Sequence, residues 1–353
     1  MSSAVVSTIT RTDTLPVSLV FSGEGVGGVT VDIQQLERGI QRHGQHAVVV
    51  GGLRELRDVL KAGPHIVHVF GCLPSAATFG SMALAKVRGL PLVWTPVFHP
   101  SRPGSWKGYG FLRIMQGFDL VAPRVARFAD AVIAATEQEA AYFRRLGARR
   151  TEWIPPGVAP PERGTRPNEI AAFRRRSGIE PGPVILVVGR DNSRKALPFG
   201  MSVFRELRAS WPDAQMLLVG PGERYVPATR GIHSLGWLDR AELDLAFRAA
   251  DVLFVPSLYE GLPRVVIEGW SYSLPVVTTD RVALAPLVGR TGKAVVPYGD
   301  VRTAASTLRA ILLDTDAAAR IGAAGRATVA EHFLLEDVVR RTAMLYATLA
   351  RGV

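Results

Sequence analysis

Glu260 and Glu268 close the two ends of Glu260-Gly-Leu-Pro-Arg-Val-Val-Ile-Glu268, a pair of carboxylates eight positions apart. The apolar run Val252-Leu-Phe-Val255, bounded by Pro256-Ser257, precedes them and predicts a buried parallel strand. Pro263 suits the first turn of the helix that follows, where its missing N–H costs nothing. Glu260 is therefore expected in a loop and Glu268 about one and a half turns into a helix. Open α/β sheets bind ligands at the carboxyl ends of their strands, where this layout puts both acids. Glu268 can accept two hydrogen bonds from a ribose diol, and Glu260 would lie nearer a sugar. The amides of Gly261 and Leu262, next to a helix N-terminus, suit phosphate oxygens. A plainer reading makes Glu260 a loop charge and Glu268 an acid favoured by the helix dipole. That leaves an acid amid an apolar Val-Val-Ile run unexplained.

Gly189-Arg-Asp-Asn-Ser-Arg-Lys195 follows another predicted strand, Val184-Ile-Leu-Val-Val188. Arg190 and Lys195 are two fixed cations that can hold a diphosphate and stabilise it as a leaving group. Taken alone they read as solvated loop charges. Taken with the acid pair in the same half of the chain, they read as the phosphate side of one site.

Other motifs speak less specifically. Gly23-Glu-Gly-Val-Gly-Gly28 is a literal G-x-G-x-x-G between a strand and a helix, as dinucleotide folds carry. The acid expected after the second strand is missing, since Val50-Gly-Gly52 runs into Leu53 and Arg54. Gly27 and Gly28 more safely mark a close approach of something anionic or bulky to the backbone. His99, just past Leu92-Val-Trp-Thr95, can hydrogen-bond a sugar hydroxyl or a phosphate, or be structural. Asp314-Thr-Asp316 resembles a metal-binding D-x-D but fits a helix–helix turn with an N-cap better. The histidines lack metal-ligand spacing and Cys72 has no partner, so no metal site is expected.

The elements that must carry these residues alternate along all 353 residues. Short apolar strands at Val17–Phe21, Ala47–Val50, Ile66–Phe70, Leu92–Thr95 and Ala131–Ala134 are separated by helical patterns such as Val29–His43, which Gly44 closes. A second series runs through Val184–Val188, Met216–Val219, Val252–Val255, Val276–Thr278 and Ala294–Val296. Helices from about Val301 to Arg351 end the chain. Two Rossmann-like α/β domains with a cleft between them are expected. Their predicted extents are 1–158 and 183–330, joined by a linker over 159–182 and followed by a C-terminal helix over 331–353.

Composition narrows the class. Hydrophobic residues make up 47% and charged residues 21%, ordinary for a globular protein. One cysteine excludes a disulfide framework and points to a reducing compartment. Neither a signal peptide nor a membrane-spanning run is evident, so a cytoplasmic location is expected. The net charge of +11 is scattered, and no nucleic-acid-binding motif accompanies it. A nucleotide-linked or lipid-phosphate substrate suits it at least as well. Aromatics interleave with bases from Ser101 to Arg113, a pattern that suits either a peripheral membrane contact or an acceptor-side loop.

At these residues the chain resembles a family-4 (group 1) retaining glycosyltransferase of the GT-B fold, over nearly its whole length. The E-x7-E element, with Pro256-Ser257 before it and Leu274-Pro-Val-Val277 after, carries most of the resemblance. Gly189-Arg190 with Lys195, Gly27-Gly28-Val29, Trp153-Ile-Pro-Pro-Gly-Val158 and Val296-Pro-Tyr-Gly-Asp300 also resemble family positions. The resemblance implies transfer, with retained anomeric configuration, of a sugar from a UDP- or GDP-linked donor to a hydroxyl on a glycan or lipid-linked acceptor. No cofactor is implied beyond the nucleotide-sugar substrate, and no nucleic-acid partner. It further implies that 1–158 is the acceptor-side domain, that 183–330 binds the nucleotide sugar, that the helix 331–353 returns to the first domain, and that Glu260, Arg190, Lys195 and His99 serve the chemistry. Glu268, Gly27, Gly28, Gly189, Gly261 and Leu262 would bind the donor. Leu262-Pro263 stands where the family often has Phe-Gly, Pro156 where it has Asn, and Ser273 where it has Gly. Three rivals are an NADP oxidoreductase built on the Gly23 loop, a GT-B epimerase or hydrolase, and a non-catalytic nucleotide-sugar binder.

Overall fold

Among the described residues, apolar runs with few polar interruptions become the inner strands of two sheets, each six-stranded and wholly parallel. The computed structural model describes residues 15–21, 28–71, 76–96, 118–161, 164, 167–190, 193–220 and 229–351. The chain divides into two compact units, one of Met1–Gly157 with Leu335–Val353 and one of Val158–Leu334.

In the first unit the strands are β1 (Val17–Val20), β2 (Ala47–Val50), β3 (Ile66–Phe70), β4 (Leu92–Thr95), β5 (Ala131–Ala134) and β6 (Thr151–Trp153). Their order is β2-β1-β3-β4-β5-β6. The C-terminal helix Leu335–Ala350 belongs to this unit and buries Val339, Leu345 and Tyr346 against Leu19 and Ile33. Gly39 permits that packing: a Cβ there would stand 2.3 Å from Val339 Cγ2.

Tyr346 also reaches a buried histidine. His68 Nδ1 lies 2.6 Å from the Tyr346 hydroxyl, and His68 Nε2 lies 2.7 Å from Thr95 Oγ1. Burial pushes the imidazole down from 6.5 to about 3. Between those values the unfolded chain binds a proton that the folded one refuses, so stability rises with pH across this window. The first unit should therefore lose up to about 1.4 kcal/mol per pH unit on acidification below pH 6.5. Denaturant titrations at pH 7 and pH 5 check this, and His68→Gln should flatten the dependence.

In the second unit the strands are β7 (Val184–Val188), β8 (Gln215–Val219), β9 (Ile232–Ser234), β10 (Val252–Val255), β11 (Val276–Thr279) and β12 (Val295–Val296), ordered β12-β11-β10-β7-β8-β9. Residues 159–182 are part of this unit. Its helix Pro167–Arg176 buries Phe173 in the core, and Arg174 donates to the carbonyls of Ala249 and Gly182 at 3.1 and 3.2 Å.

Ser273 ends the helix Arg264–Ser271 with φ 59, in the left-handed region that glycine takes without strain. Its amide donates to Trp270 O at 2.9 Å, so the conformation is part of the helix stop. Ser273→Gly should stabilise this unit by about 1 kcal/mol, read as a higher denaturant midpoint. Gly322 is the counterpart, since a Cβ there would meet Ser273 O at 1.9 Å.

Candidate active site

The chain order of the second sheet reverses between β7 and β10, its two central strands. Ligands of open α/β sheets bind at such a switch point, outside the carboxyl ends of the strands. The segment after β7 carries Gly189, Arg190 and Lys195, and the segment after β10 carries Ser257, Glu260, Gly261 and Leu262. Leu258 N donates to Arg194 O at 2.8 Å and ties the two loops together.

Lys195 and Glu260 form the centre. Lys195 Nζ lies 2.6 Å from Glu260 Oε1, with side chains 21% and 12% exposed. Ser257 Oγ donates to the same carboxylate oxygen at 2.6 Å. Thr279 Oγ1 in turn donates to Ser257 O at 2.6 Å, and Ala283 N donates to Glu260 O at 2.9 Å. The loop bearing Glu260 is thus pinned from both ends.

The glycine at 189 is a steric requirement. A Cβ there would stand 2.9 Å from Lys195 Cε and 3.0 Å from Cδ, so the lysine stem crosses the bare backbone on its way to Glu260. Lys195 ends a short 3-10 turn, Ser193–Lys195. Ala196 after it is left-handed, φ 48, before the helix Leu197–Ser210. A strained residue beside clustered charges is the kind of outlier that accompanies functional sites.

Glu268 occupies the fifth position of the helix Arg264–Ser271. Its Oε1 lies 3.6 Å from Arg264 NH2 and 3.6 Å from Arg240 NH1. Burial holds the Arg264 guanidinium below its usual range, and the Glu268 carboxylate opposes that shift. Leu262 packs against the core of this unit. Pro263 is not in the first helical turn as its sequence position suggests. It is the N-cap, with φ −70 and ψ 108, because the extended ψ delays helical geometry to Arg264.

The expected residues do not all meet. Lys195 reaches Glu260 across the Gly189 backbone, and Glu268 is held by two arginines. Arg190 instead stands over the ring of Trp237 at 5.8 Å. Gly28 begins the helix Gly28–Arg42 in the first unit. Gly27, His99 and the aromatic-basic segment 101–113 lie outside the described residues. Asp314 caps the helix Thr315–His332 by accepting from Ala317 N at 2.8 Å. Among the described residues no group of three or more His, Cys, Asp or Glu could hold a metal ion.

Four contributors carried no assigned role from sequence: Ser257, Trp237, Arg240 and Arg264. Arg264 has a readable signal, since it lies four residues before Glu268 on one helix face. Arg240 and Trp237 are distant in sequence, and only the fold brings them near Glu268 and Arg190.

Two family models match successive parts of the chain. Residues 6–157 match the glycosyl transferase 4-like domain, and residues 182–314 match the glycosyl transferases group 1 model. A sulfoquinovosyl transferase of Arabidopsis thaliana is 28% identical over 295 residues, 77% of this chain and 54% of that protein. This chain therefore spans about half of that relative's length. A 2-deoxystreptamine glucosyltransferase of Streptomyces kanamyceticus is 28% identical over 76% of this chain and 72% of its own. Among solved structures, a sucrose-phosphate synthase of Thermosynechococcus elongatus aligns with TM-score 0.72 at 20% identity, covering 96% of this chain and all (100%) of its own. Anabaena HepE, solved with UDP-glucose, aligns with TM-score 0.71 at 18% identity, covering 95% of this chain and 100% of its own. With its two parallel sheets and these matches, the chain belongs to the group 1, family-4 glycosyltransferases and is a glycosyltransferase enzyme with the GT-B fold.

Proposed function

We propose that the protein is a retaining glycosyltransferase that takes a nucleotide diphosphate sugar, UDP- or GDP-linked, on its second unit. The observation that carries the proposal is the Lys195–Glu260 pair at the β7/β10 switch point, 2.6 Å apart over a glycine backbone. Lys195 and Arg190 bind the diphosphate, and Glu268 accepts hydrogen bonds from the ribose diol. Glu260 turns its carboxylate to the hydroxyls of the transferred sugar. Gly189 keeps the backbone low beneath the phosphates, and the Gly261 and Leu262 amides point toward them at the helix start.

The lysine and arginine stabilise charge that grows on the leaving diphosphate, which is where fixed cations accelerate a transfer most. The bond from the anomeric carbon to the β-phosphate oxygen breaks. The bond from the acceptor oxygen forms on the same face, and the acceptor proton passes to the departing phosphate. The first unit holds the acceptor, a glycan or a lipid-linked glycan. Gly27 and Gly28 serve the approach of donor phosphate and acceptor, and His99 serves as a contact of the transferred sugar. The work fits surface polysaccharide or glycolipid synthesis at the cytoplasmic face of a membrane, with segment 101–113 as the peripheral contact. Two observations agree with this donor class: Anabaena HepE has been solved with UDP-glucose, and the Streptomyces relative is a glucosyltransferase.

A thermal-shift screen over UDP- and GDP-sugars tests the donor assignment, because a ligand bound by the folded state raises apparent stability. At least one should raise the midpoint, and Glu268→Gln should abolish that rise. A panel with no effect on wild type would contradict the proposal. NMR of the first product formed should show the anomeric configuration of the donor, and an inverted product would refute retention.

A further inference from the structure

Arg190 is the one cation of the proposed site set against a ring rather than a carboxylate among the described contacts. Its Cζ lies 5.8 Å from the centroid of Trp237, which is itself 68% exposed. A tryptophan so exposed contributes little to the core, so packing does not account for it.

The backbone explains why the two meet. Three adjacent strands, β7, β8 and β9, are stitched together just past their carboxyl ends by glycines. Gly189 N donates to Val219 O at 2.9 Å, and Gly220 N donates to Gly236 O at 2.6 Å. Gly220 has φ 103, and a Cβ on it would stand 2.5 Å from Gly189 O. Arg190 and Trp237 directly follow the outer two of these glycines, so the stitch carries both into register.

We infer that Trp237 is a positioning residue that orders the Arg190 guanidinium for the donor diphosphate. The indole face attracts the cation and restricts a long side chain that would otherwise sample solvent. Donor phosphate then meets an arginine already in place. This rests on the reading of Arg190 as a diphosphate ligand.

Calorimetric titration of the full chain with UDP, GDP and ADP, and with the matching nucleosides, tests both. Trp237→Ala should weaken the best-binding diphosphate about two- to fivefold, the size of a cation–π contact at an exposed site. It should leave nucleoside affinity unchanged, and Trp237→Phe should restore most of the loss. In an Arg190→Ala background Trp237→Ala should have no further effect. Equal losses for nucleoside and diphosphate would mean that Trp237 stacks on the base, and would overturn the inference. Losses that add in the double variant would overturn it too. If Arg190→Ala alone leaves diphosphate affinity intact, or no diphosphate binds wild type, the reading of Arg190 itself falls.

Discussion

Lys195→Ala should lower kcat/KM for the donor on the order of 10²–10³-fold, comparable to losing one preorganised donor that faces developing charge. Two effects combine. The leaving diphosphate loses a cation from a site where little water screens it, the side chain being 21% exposed. Glu260, 12% exposed, keeps Ser257 as a hydrogen-bond donor but loses its counter-charge. An unpaired carboxylate beside the diphosphate would then repel it, so part of the loss should appear as a higher donor KM. Lys195→Arg should not rescue fully. A planar fork on a longer stem cannot reproduce a point charge that passes over Gly189 with its Cε 2.9 Å from where a Cβ would be. Steady-state kinetics on variants with unchanged circular dichroism separate this from misfolding. A loss under threefold would remove Lys195 from the chemistry.

Glu268→Gln should weaken nucleoside diphosphate binding by about 1.5–3 kcal/mol, the value of hydrogen bonds to a charged group. It should also cost stability, and that cost is independent of any ligand. Arg264 is buried, and the carboxylate four residues on is what offsets the burial of its charge. With glutamine at 268 the guanidinium keeps its burial and loses its counter-charge, which should cost about 1–3 kcal/mol. Both losses are read on one preparation, affinity by calorimetry and stability by denaturant titration without ligand. Normal affinity with reduced stability would make Glu268 a structural acid only.

Much of the fold is legible from strand chemistry. The inner strands β7 and β10 are wholly apolar, and β1 and β3 are apolar but for Ser18 and His68, because helices cover both faces of a parallel sheet, and such runs stand out. The two strands that periodicity misses, Thr151–Trp153 and Ile232–Ser234, are the edges β6 and β9. Each is paired on one side only and is only partly buried, so neither needs an apolar run. The site is legible where chemistry is written into a loop next to a strand, as with Gly189, Lys195 and Glu260. It is not legible where a partner arrives through topology. Arg240 starts a helix after β9, and Trp237 follows a glycine on the same turn, yet they reach Glu268 and Arg190. No local spacing encodes those meetings.

A crystal structure of the protein with the tightest-binding nucleoside diphosphate tests the donor site most directly. The diphosphate should lie within hydrogen-bond distance of Arg190 and Lys195, with both ribose hydroxyls on the Glu268 carboxylate. A nucleotide bound away from the β7/β10 switch point, or one whose phosphates avoid both cations, would contradict it.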